Sequence, residues 1–331
     1  MRAWIPKSVV LVIVLVFGAE VITRYFFAQS LTGRFDYGFH PTAGFEENMD
    51  ETISLIKAGG RPFRPQTYKM LPEPGMFRIM VFGNSVPYGY YGNGDAPIDE
   101  AYPALIAHHL RAEGKKAEGW NLAVGGYGAR RVNVLLQQAV RYKPGFVVLH
   151  VHLWSNDEIN ERRRHEFDGW HPKNWFMKLM VVRRLYEAKN ERLFRKYAPQ
   201  TTAPGDISGM ENRRLEAPSA ENLARWKDQT MEWTAKSIEL CRSQSIPIIL
   251  VSQASRFRDS TGKDFLDEQG LDSELKMNFG KSAEIVSMKK IFDGKNWESL
   301  YTDHVHLTKA GHDLLAAEIM KIVLSSSQTK R

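Results

Sequence analysis

The chain has 331 residues, 43% hydrophobic and 25% charged, so it is long enough for one large domain or two small ones and lacks the composition of a disordered or collagen-like chain. Lys and Arg (45) outnumber Asp and Glu (38), for a formal charge of +7. That charge suits an anionic surface or an acidic polymer; without a zinc-knuckle spacing, an RNA-binding sheet signature or a basic region with heptads, nucleic acid is not expected as a partner.

The first element is apolar. Ile5 to Phe27 is interrupted only by Pro6, Lys7, Ser8, Glu20, Thr23 and Arg24 among its larger apolar residues. It reaches the ~20 residues of a membrane span if Lys7 and Arg24 snorkel to the two interfaces. A cleaved signal peptide needs small residues three before and one before the cut. Ala19 is preceded by Phe17 and Ala28 by Phe26, so an uncleaved anchor over residues 1 to 29 is the expectation. Residues 30 to 76 are punctuated by Gly and Pro and read as a stalk lying partly on the domain.

From residue 77 to 331 short apolar runs alternate with helical patterns. Phe77 to Phe82 is a buried-strand signal that runs into Gly83, Asn84 and Ser85. Tyr102 to Arg111 has helical spacing. Trp120 to Val124 is a second apolar run, ending at Gly125 and Gly126, and Val132 to Tyr142 is a helix. Phe146 to Leu153 is the third strand, leading to Trp154, Ser155, Asn156 and Asp157. An insert over residues 158 to 235 follows, basic and aromatic, with helical spacing from Trp175 to Tyr197. Its place at the edge of a sheet suits a cap over a site. Ile246 to Ser252 and Ala283 to Met288 are further strands, and Leu307 to Leu324 is a closing helix. This alternation predicts an α/β fold: a three-layer α/β/α sandwich with a mostly parallel, flavodoxin-like sheet. Cys241, the sole cysteine, falls in a helical pattern before the fourth strand and is read as a packing residue; no intrachain disulfide can form.

In such sheets ligands bind beyond the carboxyl ends of the strands. Four polar clusters fall there: Asn84-Ser85, Gly125-Gly126, Ser155-Asn156-Asp157, and Asp303 with His306 before the last helix. The residue types fit acyl transfer. A serine hydroxyl needs a neighbouring base, which His306 can be, and Asp303, three residues earlier, can hold the other ring nitrogen. The N–H groups of Ser85 and Gly126 and the side-chain amide of Asn156 are candidate oxyanion donors. Tyr88 and Trp154 are candidate substrate-binding residues, with Tyr90 and Tyr91 either lining the cleft or shaping the loop. His150 and His152 share a strand face, but without a carboxylate or cysteine partner they read as packed histidines; neither a metal nor a cofactor is expected. Asp157 reads as a helix cap.

These clusters resemble the four blocks of the SGNH (GDSL-like) hydrolase superfamily, in order. FGNSVPYG is similar to the nucleophile block, NLAVGGYG to the glycine block, WSNDE to the Gly-x-Asn-Asp block and DHVHLTKAGH to the closing Asp-x-x-His block. The resemblance covers roughly residues 77 to 160 and 246 to 324. Glu20 to Arg24, at the end of the apolar segment, is similar to anchored bacterial members. There are two departures: Asn84 stands where an aspartate is usual, and Trp154 where a glycine is usual. The resemblance implies a serine esterase or deacylase acting on acyl esters, with surface polysaccharide as a substrate by family habit and the catalytic domain outside the cytoplasm. An acyltransferase with the same site and a catalytically weak glycan-binding module are the alternatives. The sequence does not give the oligomeric state.

Overall fold

The computed structural model describes residues 7–27, 45–55, 63–92, 94–153, 179, 181–182, 185, 220–258 and 264–328. Contacts divide the chain into two compact units. One comprises Met1–Ala43, Lys57–Pro62 and Asn160–Ala203, the other Gly44–Ile56, Phe63–Ile159 and Pro204–Arg331.

In the first unit the apolar run forms one helix, α1 (Lys7–Phe27). The expected membrane span is not found: among the described residues no helix is long and apolar enough to cross a membrane. The run carries Lys7, Glu20 and Arg24, and Glu20 is buried with its carboxylate accepting a hydrogen bond from the Val181 N–H at 2.9 Å.

The second unit is built on a five-stranded parallel sheet. Its strands are β4 (Phe77–Phe82), β5 (Ala117–Asn121), β6 (Phe146–Val151), β7 (Ile248–Ser252) and β8 (Glu284–Ser287), in the spatial order β8-β7-β6-β4-β5. The three central strands read as continuous apolar runs because both faces are covered. On one face Ile79, Val81, Val148, Ile249, Val251 and Val286 pack under α3 (Tyr102–Ala112) and the closing helix α8 (Lys309–Gln328), which follows the short helices α6 (Leu271–Phe279) and α7 (Met288–Phe292). On the other face lie α4 (Ala129–Ala139) and α5 (Ala220–Ser243), packed against each other. The expected three-layer α/β/α arrangement with a parallel sheet is therefore what this unit shows.

Two expected elements shift. The strand read as Trp120 to Val124 is Ala117–Asn121 instead. Its entry is polar and carries no apolar signal, although Glu118 pairs with Arg78 on β4. Gly119 is required there, since a Cβ would run into the Pro103 carbonyl of α3. The residues after it, Leu122 and Val124, still bond to the end of β4 through Val81 O and Gly83 O. The helix read as Val132 to Tyr142 starts three residues earlier and ends in a 3-10 turn, Val140–Tyr142.

Part of the expected stalk is folded on this unit. Three short antiparallel strands, β1 (Phe45–Glu47), β2 (Thr52–Leu55) and β3 (Thr67–Lys69), form a small sheet. It is tied to the large sheet by Arg78, which is fully buried. Arg78 pairs with Glu118, donates to the carbonyls of Lys69, Met70 and Tyr142 at 2.6–2.8 Å, and stacks 4.5 Å above Trp120. Tyr68 of β3 stacks on the same indole at 4.6 Å.

Candidate active site

The carboxyl end of β4 turns at Gly83 into α2 (Ser85–Tyr88). Asn84 caps this helix, its Oδ1 accepting from the Val86 N–H at 3.0 Å. Ser85 is thus the first residue of a short helix, half-buried at the edge of the sheet. Gly83 has no room for a side chain: a Cβ would lie 2.7 Å from His150 Cβ and 2.8 Å from Pro87.

The loop before α8 reaches the same point. It is closed by a bridge between Tyr301 and Leu307 and by Thr302 N–H donating to His306 O at 2.8 Å. The Tyr301 hydroxyl donates to Ala254 O at 3.0 Å, and Arg256 N–H donates to His304 O at 2.7 Å, so the loop is pinned to the chain leaving β7. Within it Asp303 Oδ1 accepts from the N–H groups of Val305 and His306, both at 2.7 Å. Its other oxygen, Oδ2, lies 2.6 Å from His306 Nδ1. His306 Nε2 lies 2.8 Å from Ser85 Oγ. A carboxylate only accepts, so Nδ1 carries a proton, and in the neutral ring Nε2 presents its lone pair to the Ser85 hydroxyl. Burial pushes the Asp303 carboxyl up, but the His306 ring and the two backbone N–H groups outweigh it and hold it at about 2. Asp303 therefore stays ionised at any working pH.

Two further residues shape this corner. Tyr90 packs edge-on against the His306 ring at 4.9 Å between centroids. Gly92 sits at φ +79°, and a Cβ there would be 3.0 Å from Asp303 Oδ2. Tyr88 donates to Asp95 at 3.1 Å, and its ring lies beside Arg64 at 5.3 Å. Gly126 is also left-handed, at φ +77°, a conformation that favours glycine. Its carbonyl is held by Arg131 Nη2 at 2.5 Å. Among the described residues no acceptor meets the N–H of Ser85 or of Gly126. The remaining expected site residues, Trp154 and Asn156, lie outside the described residues, as does most of the insert.

His150 and His152 do not converge on one ligand. His150 bonds to Gln253 and Tyr102, His152 to the Tyr127 carbonyl at 2.9 Å, so both are packed histidines, one on β6 and one just beyond it. Cys241 is buried, and burial pushes its thiol up to about 12. Sequence reasoning missed Gln253 and Tyr102, which join His150 behind the nucleophile turn. Gln253 directly follows β7, so the rule that picked out the other strand ends also points to it.

No family model and no curated protein matches the chain. Solved structures with which it shares a likeness include a GDSL-like lipase from Bacteroides thetaiotaomicron VPI-5482, at 14% identity and a TM-score of 0.41, covering 77% of this chain and 91% of that one. Another is a carbohydrate acetylesterase from Sinorhizobium meliloti, at 9% identity and a TM-score of 0.44, covering 75% and 98%. A third is TesA, at 11% identity and a TM-score of 0.43, covering 73% and 95%. Likenesses this distant leave the chemistry to the residues themselves.

Proposed function

We propose that the chain is a serine ester hydrolase of the SGNH type, with Ser85, His306 and Asp303 as its catalytic triad. The observation that carries this reading is the unbroken chain of contacts from Ser85 Oγ to His306 Nε2, 2.8 Å, and from His306 Nδ1 to Asp303 Oδ2, 2.6 Å. In the proposed reaction Ser85 Oγ attacks the ester carbonyl while its proton passes to His306 Nε2. The imidazolium is stabilised by Asp303 and returns the proton to the leaving alkoxide, releasing the alcohol. Water then attacks the acyl-enzyme with His306 again as base, and the acid leaves with Ser85 restored. The N–H groups of Ser85 and Gly126 and the amide of Asn156 are the proposed donors to the tetrahedral oxyanion.

The finer reading is an O-acyl group on a glycan outside the cytoplasm. It rests on the sequence resemblance and on the Tyr90 ring packed against His306, which narrows the site and favours a short acyl chain such as acetyl. Helix α1, with Leu11, Leu15 and Phe17 more than half exposed, is where a membrane tether would lie. Retention of the full chain in the pellet after a carbonate wash would support the tether, and release would refute it.

The triad is tested by turnover of an acetyl ester. Ser85→Ala and His306→Ala should each abolish most of it. Residues acting as one unit do not lose activity additively, so the double variant should be little worse than either. Additive losses, or full activity in Ser85→Ala, would overturn the reading. Faster turnover of octanoyl than acetyl esters would remove the glycan substrate, and acyl transfer to a sugar in preference to water would make the enzyme an acyltransferase.

A further inference from the structure

A buried polar network behind the nucleophile turn has no part in the proton transfers above. Asn84 Nδ2 donates to Gln253 Oε1 at 2.7 Å, and His150 Nε2 lies 3.1 Å from the same oxygen. An amide oxygen only accepts, so His150 Nε2 must carry a proton. His150 is buried on β6, and burial, with His152 and His312 nearby, holds it down at about 3, so its ring is neutral. A neutral ring has one proton. Nδ1 therefore accepts, and the Tyr102 hydroxyl, 3.3 Å away and fully buried, donates to it. At the other end Asn84 Oδ1 accepts from Val86 N–H within the turn that carries Ser85. The donor and acceptor roles thus run without conflict from Tyr102 through His150 and Gln253 to Asn84 and the backbone of α2. A Cβ at Gly83 would lie 2.7 Å from His150 Cβ, so the turn comes this close to His150 only with glycine there.

We propose that Tyr102, His150, Gln253 and Asn84 form an uncharged positioning network that sets the Ser85 turn in register with His306, and that it requires an amide, not a carboxylate, at position 84. Asn84 must both accept, from Val86, and donate, to Gln253. A carboxylate can do only the first. It would set two acceptors against each other unless the Gln253 amide turned over to donate. Its Nε2 would then face His150, whose proton would have to move to Nδ1. Nδ1–H would meet Tyr102, whose own O–H would lose its acceptor inside the core. A single change at 84 therefore propagates along four residues: either the contact from position 84 to Gln253 that holds the nucleophile turn is lost, or the Tyr102 hydroxyl is left without an acceptor.

The tautomer is read directly from the 15N shifts of the His150 ring in the wild-type chain. The expected result is a protonated Nε2 and an unprotonated Nδ1, unchanged between pH 5 and 8. A proton on Nδ1, or titration within that range, would overturn the proposal before any variant is made. In Asn84→Asp the proton should move to Nδ1. The rate at which a fluorophosphonate labels Ser85 and the kcat for an ester should both fall about tenfold to a hundredfold, as for a reacting atom displaced by up to about 1 Å, with KM little changed. Tyr102→Phe removes one hydroxyl and leaves the ring in place, so it should fold even if Asn84→Asp does not. It should keep the His150 proton on Nε2, which still faces Gln253 Oε1, leave Nδ1 without its donor, and slow labelling several-fold. Wild-type rates in either variant, or an unmoved tautomer in Asn84→Asp, would refute the network. The kinetic arm rests on the ester-hydrolase reading, whereas the tautomer arm does not. A wild-type Ser85 that fails to react would overturn that reading and the kinetic claim with it, while the ring shifts would still decide the network's polarity.

Discussion

Acid should destabilise this protein well above the pH at which its carboxylates protonate, and His312→Met should remove a defined part of that sensitivity. His312 lies in α8 with no exposed surface, its ring beside Tyr91 and Tyr102 at 6.1 Å, and among the described residues neither ring nitrogen has a hydrogen-bond partner. Burial, with a smaller contribution from His306, holds it at about 3. An unfolded histidine titrates near 6.5. Between those values the unfolded chain binds the proton and the folded one does not, so stability rises with pH across the window and is lost as pH falls through it. At pH 5 the loss from one such ring is about 1.5 pH units at about 1.4 kcal/mol each, or roughly 2 kcal/mol. His150, also held at about 3, adds a similar amount, and His304, lowered by burial, acts in the same direction. Asp303 adds nothing here: held at about 2, its share persists above the ordinary carboxylate range and is lost only as pH falls towards that value. Urea unfolding of wild type and His312→Met at pH 8 and pH 5 measures the effect, provided the m-values agree. The wild type should lose about 2 kcal/mol more than the variant between the two pH values. The baseline cost of the substitution cancels in that comparison. Equal losses would mean that His312 accepts a proton within the fold, and the reasoning would fail.

Gly92→Ala places a methyl group 3.0 Å from Asp303 Oδ2 at a backbone φ of +79°. The strain should cost about 1–2 kcal/mol in urea unfolding. By moving the oxygen that orients His306, the same change should lower kcat more than it raises KM. Arg78→Met leaves Glu118 and three carbonyls without their buried partner, and a loss of roughly 3–5 kcal/mol is expected in the same assay; a loss under 1 kcal/mol would show that the small sheet does not depend on this cation. Asn156→Ala should reduce turnover ~10²–10³-fold, mostly in kcat, if its amide serves the oxyanion. A near-normal rate would leave that task to the backbone groups of Ser85 and Gly126.

The parts legible in the sequence were those with one dominant cause. The limits of β4, Phe77 to Phe82, match its apolar run because both faces of that strand are covered. Ser85 stands out because it follows β4 at the carboxyl edge of a parallel sheet, and Asp303 and His306 because they precede the closing helix; the structure brings these three into contact. β5 slid by three residues because its first half is polar and is held by Arg78, a partner forty residues away in the chain. The sheet of β1 to β3 was hidden for the same reason: Gly and Pro dominate the local pattern, whereas Arg78, Tyr68 and Trp120 supply the tertiary contacts. Gln253, His150 and Tyr102 are neutral and far apart in sequence, so nothing local marks them as one network. The apolar N-terminal run gave the helix of α1 correctly, but hydropathy could not show that Glu20 has a protein partner in Val181.

The central claim is that Ser85 is a nucleophile activated by His306. Treating the intact chain with a fluorophosphonate and mapping the adduct by peptide mass spectrometry tests it most directly. The account predicts one phosphonylated residue, Ser85, with labelling lost in Ser85→Ala and severely slowed in His306→Ala. An adduct on another serine, or labelling of Ser85 that is indifferent to His306, would contradict it.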